Sequence, residues 1–157
     1  MTSVPGKKRT VFNPTRNQVR RFLIEAWRKR RAGLPAEPLE TLAGDLIVQH
    51  PEYHAVLEDG EAALTREWTP DGGESNPFLH LSLHLAIEEQ LSIDQPPGIR
   101  RLFEQLCLRH GERHAAAHRM IDCLAEAVWL SQRHGRPIDV AAYFDCLRQR
   151  AGDGGEG

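Results

Sequence analysis

The chain has 157 residues, of which 40% are hydrophobic and 27% are charged, and its formal net charge is −2. This composition is typical of one globular domain of ordinary size and excludes a disordered or fibrous protein. No apolar run reaches the length of about 18 residues that a membrane helix needs, and the N-terminal sequence MTSVPGKKRT lacks the apolar stretch of a signal peptide. We therefore expect a cytoplasmic protein without membrane association.

The three cysteines, Cys107, Cys123 and Cys146, are widely spaced and include no C-x-x-C pair. An odd and scattered set argues against a disulfide framework and against a zinc ribbon. The sequence predicts that all three are small, buried hydrophobic residues.

Signals for helix ends recur along the first half of the chain. Asn13-Pro14 is typical of an N-cap, so a first helix is predicted from there to a stop near Gly33. A second helix is predicted from Pro38 to about His50-Pro51. Residues 52–58 then form a short predicted turn, and residues 59–75 are predicted to be mostly loop, with one turn around Ala62–Trp68.

The segment that follows, residues 76–93, has features of both a strand and a helix. Leucines alternate along its first half, as they would in a buried strand. The cap signature Asn76-Pro77, the helix-forming stretch at 86–91 and a length beyond twelve residues favour a helix instead. We predict a helix.

Three more helices complete the predicted fold, an all-α, single-domain bundle of about six to seven helices. They run from about Ile99 to His110, from about Glu112 to His134, and from a cap at Asp139 through Arg150. The helical domain is predicted to span residues 12–151, between a flexible basic N-terminus at 1–11 and a disordered tail at 152–157.

Histidines recur at intervals of four residues along these helices. Side chains four apart on a helix lie on one face, so such a pair offers a metal ion two donors from one side. His110 and His134 precede glycines at helix ends and are interpreted as capping residues, and His50 is interpreted as a helix terminus. The remaining candidate metal ligands are His54, Glu58, His80, His84, Glu88, Glu89, His114 and His118.

Glu88 and Glu89 are alternatives for one ligand position near His84, and a further carboxylate follows the pair His114 and His118. Glu88 has the better same-face geometry with His84, whereas Glu89 fits the ligand spacing of hemerythrin-like bundles; Asp122 follows His118 by four. The alternative interpretation is that these histidines are core residues that satisfy one another by hydrogen bonds.

The donor types narrow the choice of cofactor. Imidazoles and carboxylates without thiolates suit iron, manganese or zinc, either as a di-metal site that activates oxygen or as a mononuclear structural or hydrolytic site. The sequence has no H-E-x-x-H, G-x-S-x-G, Walker A or G-x-G-x-x-G motif, so no zinc protease, nucleotide or organic cofactor is indicated.

Positive charge is concentrated at the start of the chain. Residues 1–31 carry ten Lys or Arg and one acid, a net charge of +9, whereas residues 32–157 carry ten against twenty-one, a net charge of −11. The basic first helix is either a solvated face or a docking surface for an acidic protein or a second copy of the chain. Nucleic acid is a less favoured partner, and its binding would be weak and unspecific. The candidate partner-binding residues are Arg20, Arg21, Arg28 and Lys29.

Several long motifs resemble a bacterial family catalogued as domain-of-unknown-function family 1841, found mainly in proteobacteria. They are FNPTRNQVRRF at 12–22, LETLAGDLIVQHPEYH at 39–54, NPFLHLSLHLAIEEQLSIDQPPGIR at 76–100 and HGERHAAAHRMIDCLAE at 110–126. The likeness covers about Phe12 to Arg150. It implies a small cytoplasmic bacterial protein and assigns neither an activity nor a site residue.

Two functions of different classes follow from the residues. The first is a helical bundle that binds a transition metal between the helices holding His54, His80/His84 and His114/His118, with a redox or oxygen-linked role as the more specific version. The second is a non-catalytic interaction protein whose basic first helix docks a partner. Whether the protein is an enzyme stays open at this point.

Overall fold

The computed structural model describes residues 15–68 and 76–152, and within these ranges the chain is helical, without a strand. The prediction of an all-α fold is therefore confirmed. A single 3-10 turn, Pro51–Tyr53, precedes α3. The helices are α1 (Arg16–Ala32), α2 (Pro38–Val48), α3 (His54–Glu58), α4 (Gly60–Thr65), α5 (Pro77–Ile93), α6 (Ile99–His110), α7 (Arg113–His134) and α8 (Val140–Arg150).

Side-chain caps fix where three of the long helices begin. At α1 the cap is Thr15, whose hydroxyl accepts a hydrogen bond from the Gln18 backbone N–H, while the Gln18 side chain accepts from the Thr15 N–H. The predicted cap Asn13-Pro14 lies outside the described residues. Asn76 and Asp139 cap α5 and α8 as predicted, because each carboxamide or carboxylate oxygen accepts a hydrogen bond from a backbone N–H of the first turn.

Residues 76–93, whose sequence has features of both a strand and a helix, form the helix α5 at Pro77–Ile93. Leu81, Leu83 and Ile87 are all buried although they do not share one narrow stripe. A helix that is apolar around most of its circumference is buried on most sides, which explains why its leucines mimic the alternation of a strand.

Two predicted turns are short helices in the structure. Residues 52–58 form part of the 3-10 turn and the helix α3, and α4 occupies Gly60–Thr65, slightly earlier than the turn predicted at Ala62–Trp68. Local sequence signals are weak over five or six residues, since such short helices are stabilised mainly by tertiary packing.

The chain divides into two compact units, Met1–Ser82 and Leu83–Gly157, and the division falls within α5. In the first unit α1 packs against α2, α3 and α4. Its buried apolar side chains include Leu23, Ala26, Trp27, Leu46, Ile47, Leu57 and Ala63.

In the second unit α7 packs against both α6 and α8. Its core includes Leu83, Ile87, Leu102, Phe103, Leu106, Met120, Ile121, Leu124, Tyr143 and Leu147. The predicted ends of α6 and α7 are confirmed, because Gly111 and Gly135 follow the last helical residues with φ of +89° and +64°, values that glycine adopts without strain.

The prediction that all three cysteines are unpaired is wrong for two of them. Cys123 on α7 and Cys146 on α8 form a disulfide, with Cα atoms 5.8 Å apart, whereas Cys107 is a half-buried free thiol. The two cysteines are separated by 23 positions, and only the packing of α8 against α7 brings them together.

No helix within residues 15–68 and 76–152 is both long enough and apolar enough to cross a membrane.

Candidate metal centre

Three of the predicted ligands converge in the second unit. His84 projects from α5, and His114 and His118 project from consecutive turns of α7. The ring centroids of His84 lie 5.6 Å from His114 and 5.3 Å from His118, and those of His114 and His118 are 4.2 Å apart. The interval of four residues on α7 therefore places two imidazoles on the face that the third imidazole approaches.

The ring nitrogens of these three residues are close enough to share one ligand. One nitrogen from each ring lies within 4.8 Å of the corresponding nitrogen of the others. His84 is 1% exposed, and His114 and His118 are half-buried. An imidazole held in the interior has lost its water partners, so the surrounding groups must compensate that desolvation.

Buried apolar neighbours hold the three rings in this arrangement. Leu83 and Ile87 flank His84 on α5, and Ala117 and Ile121 flank His118 on α7; all four are buried in the core of the second unit. Because these neighbours are packed, the backbone positions that carry the imidazoles are fixed before any ligand arrives. This is the preorganisation that a binding site needs.

The predicted carboxylates of this unit are directed to other partners. Arg113 donates a 2.8 Å hydrogen bond to the Glu88 carboxylate, and Glu89 is exposed. Asp122 is also exposed, 4.0 Å from Arg119. The clustered donors are thus imidazoles alone, and the structure does not bring Glu88 or Glu89 into the cluster.

In the first unit, His54 and Glu58 both contact Trp27. The His54 ring stacks on the indole at 4.3 Å, and His54 Nε2 donates to the Ile47 carbonyl at 2.7 Å. Glu58 accepts a hydrogen bond from the indole N–H at 3.2 Å. The structure therefore places these two predicted ligands in the packing between α1, α2 and α3 rather than with one another around a shared centre.

His80 and His50 belong to a group of aromatic rings in the first unit. The centroid of His80 lies 5.0 Å from that of His50 and 5.9 Å from that of Tyr53. Burial raises the pKa of the Tyr53 phenol, and the nearby Glu52 carboxylate acts in the same direction. The His80 ring packs edge to face on both other rings, whereas the His50 and Tyr53 rings stack in parallel with centroids 5.5 Å apart, and both arrangements are common in protein interiors.

His50 is the residue whose environment the sequence analysis missed. It was interpreted as a helix terminus, yet it is only 1% exposed, and its Nδ1–H donates to the Leu46 carbonyl at 2.8 Å. His50 lies between the end of α2 and the 3-10 turn, and the available signal was its interval of four from the buried Leu46.

The basic first helix is largely paired within its own unit. Arg20 is buried, and its guanidinium donates to the carbonyls of Ala63, Leu64 and Arg66 at 2.8, 3.2 and 2.9 Å. Burial lowers the pKa of this guanidinium, and the neighbouring Arg16 charge acts in the same direction. The expectation that Arg20 forms part of an exposed docking surface is wrong, because it binds the C-terminal carbonyls of α4.

Two of the other predicted partner-binding residues have acidic neighbours. Arg28 pairs with Glu25 at 2.6 Å, and Lys29 pairs with Glu40 at 2.9 Å. Arg21 is exposed on α1. Because these basic side chains are paired, α1 offers a partner fewer unpaired positive charges than its net charge indicates.

The chain belongs to the family described as Domain of unknown function (DUF1841), whose model matches residues 15–149. No curated protein and no solved structure matches the chain. The family resemblance noted in the sequence is thus confirmed over nearly the whole chain.

Proposed function

We propose that this protein binds one transition-metal ion through His84, His114 and His118. The observation that carries the proposal is the convergence of three ring nitrogens within 4.8 Å of one another in the interior of the second unit. Two of the three come from one helical face, so the backbone of α7 itself sets their spacing.

The separations suit a metal after small side-chain rotations. Zinc–imidazole bonds of 2.0–2.1 Å in a tetrahedral site put ligand nitrogens about 3.3 Å apart. The nitrogens of the cluster all lie within 4.8 Å of one another, so the rings need to move together by about 1.5 Å at most. Rotation about the side-chain torsions supplies such a movement without any shift of the helices.

The donor set also favours particular metals. Imidazole suits zinc, copper, nickel and iron, whereas manganese prefers oxygen ligands. Of iron, manganese and zinc, the metals expected from the sequence, an all-imidazole cluster favours zinc and ferrous iron. Three donors can hold one ion, so we propose a mononuclear centre instead of the di-metal site that the sequence also allowed. Three imidazoles leave a position on the ion for water or another donor.

The test is an equilibrium titration of tag-free protein with Zn²⁺ in competition with a chelating dye. We expect the unaltered protein to bind one ion per chain, and His118→Ala and His84→Ala to weaken binding by at least about hundredfold. His134→Ala is the matched control, because His134 lies at the exposed C-terminal end of the same helix as His118. It should bind as the unaltered protein does.

Far-UV circular dichroism of each variant establishes that the helices persist, and His114→Gln provides a second substitution that retains a polar side chain. Absence of stoichiometric binding in the unaltered protein would overturn the proposal. Equal loss of binding in His134→Ala and His118→Ala would overturn it as well.

A further inference from the structure

The disulfide of the second unit borders a cleft between α7 and α8. Its volume is about 240 Å³, and Cys123, Cys146, Leu130 and Ala142 are among the residues that line it. Pockets for drug-sized ligands are usually larger than about 300 Å³, so this cleft suits a small molecule or the reactive end of a larger one.

The two sulfur-bearing residues differ in their access to solvent. Cys123 is 1% exposed, whereas Cys146 is half-buried. Cys146 and Ala142 also line a second, more open cleft together with Asp145 and Gln149. A molecule from solvent can therefore approach Cys146 from two sides.

The first cleft carries charges of both signs. Arg136 contributes a guanidinium, and Glu126 and Asp139 contribute carboxylates. A ligand that combines carboxylate and ammonium groups, as amino-acid-derived thiols do, can pair with both signs. An uncharged thiol of similar reactivity gains nothing from these side chains.

Helix α8 is held to the second unit by more than the disulfide. Leu147 is completely buried in the core, and the Tyr143 hydroxyl donates a 2.8 Å hydrogen bond to Gln90. These contacts do not depend on the sulfur–sulfur bond. We therefore expect α8 to stay in place when that bond breaks.

We propose that Cys123–Cys146 is an exchangeable disulfide and that the cleft beside it receives a small zwitterionic thiol. The thiolate of that molecule attacks Cys146 Sγ, the Cys123–Cys146 bond breaks, and Cys123 leaves as a thiolate that takes up a proton. A second thiol attacks the mixed disulfide on Cys146. This step releases the oxidised small-molecule disulfide and the Cys146 thiolate, so two thiols are oxidised for each protein disulfide reduced.

The third cysteine does not take part in this exchange. Burial raises the pKa of the Cys107 thiol, which keeps it protonated and a poor nucleophile at neutral pH. Cys107 also opens into a different cleft, which Arg113 and Leu108 line. Replacing it with serine simplifies the experiment without touching the proposed site.

The experiment uses the full chain carrying Cys107→Ser, reduced glutathione as the probe, and quenching with an alkylating reagent before peptide mass spectrometry. We expect glutathione on Cys146 and the alkylating group on Cys123 at early times, with full helicity by far-UV circular dichroism after reduction. Ala142→Leu, which fills the cleft, should slow reduction by about tenfold. Ala141→Leu is the matched control, because Ala141 is exposed on the same helix and does not line the cleft.

A second comparison tests the charge argument. Arg136→Gln should slow reduction by glutathione and leave reduction by 2-mercaptoethanol unchanged. The proposal is overturned if reduction requires a denaturant, if glutathione attaches to Cys123, or if Ala142→Leu and Ala141→Leu react at the same rate. Equal slowing of both thiols by Arg136→Gln would overturn the assignment of a zwitterionic ligand.

Discussion

The imidazole rings of His114 and His118 lie 4.2 Å apart on consecutive turns of α7, within reach of the buried His84 ring from α5. One ring nitrogen of each imidazole lies within 4.8 Å of those of the other two. A divalent ion that takes one nitrogen lone pair from each ring would compensate the desolvation of these polar groups.

Zn²⁺ should stabilise the protein against heat. A ligand that binds only the folded state at 100 times its Kd adds about 2.7 kcal/mol to the free energy of unfolding, which for a chain of this length raises Tm by roughly 5–10 °C. Differential scanning fluorimetry with and without Zn²⁺ measures the shift, and excess chelator should reverse it. An equal shift in His118→Ala would show that the stabilising ion binds elsewhere.

Arg20 should be a stability residue. Arg20→Met removes hydrogen bonds to three backbone carbonyls near the end of α4 and should lower the free energy of unfolding by about 3 kcal/mol. Arg21→Met, at the exposed neighbouring position, should change it by less than about 0.5 kcal/mol. Urea denaturation of both variants measures the difference.

Similar losses in the two variants would contradict the structural role of Arg20. Arg20→Lys adds a finer test, since one ammonium group can replace some of the hydrogen bonds but not the fork geometry of the guanidinium. It should therefore fall between the unaltered protein and Arg20→Met.

Tyr143 should make the protein less stable at alkaline pH. Burial raises the pKa of this phenol, while the hydrogen bond to Gln90 acts in the opposite direction. Above the usual value of 10.0 the unfolded chain loses the proton and the folded chain keeps it, so the free energy of unfolding falls as pH rises through that range. Below it the contribution of the buried neutral phenol is fully present.

Tyr143→Phe separates these two effects of the hydroxyl. At neutral pH the variant should lose about 1 kcal/mol of stability, because the hydrogen bond to Gln90 is gone. Above pH 10 the gap to the unaltered protein should narrow, since phenylalanine does not ionise. Urea denaturation at both pH values checks this, and a constant gap would contradict the assignment.

The disulfide should add stability without being required for folding. Closing a loop between residues 23 positions apart restricts the unfolded chain and contributes about 3 kcal/mol. Cys123→Ser should therefore unfold at lower urea concentration yet keep its helicity in the absence of urea. Complete loss of helicity in this variant would mean that the core contacts of α8 are insufficient on their own.

The features that local sequence signals predicted correctly are those set by neighbours along one helix. Asn76 and Asp139 are recognisable caps, and the interval from His114 to His118 specifies one helical face wherever that helix lies. The approach of His84 to that face depends on how α5 packs in the core of the second unit, which no local sequence signal specifies.

The features that were missed depend on pairings between distant positions. Nothing local distinguishes Cys123 and Cys146 from buried unpaired cysteines, because their disulfide exists only where α8 packs on α7. Arg20 looks like its exposed neighbour Arg21 in the sequence, but it binds carbonyls more than 40 residues away. His54 has the spacing of a ligand and instead stacks on Trp27.

The most direct test of the proposed centre is a nuclear magnetic resonance spectrum of the histidine ring nitrogens, recorded on ¹⁵N-histidine-labelled, tag-free protein before and after one equivalent of Zn²⁺. All eight histidines are observed together, including His50 and His80 of the first unit, so every ligand is identified in one experiment. We expect the ring nitrogens of His84, His114 and His118 to shift to metal-bound positions while those of His134 stay unchanged. A spectrum unaltered by Zn²⁺, or one in which these three rings remain in place while others shift, would contradict the account.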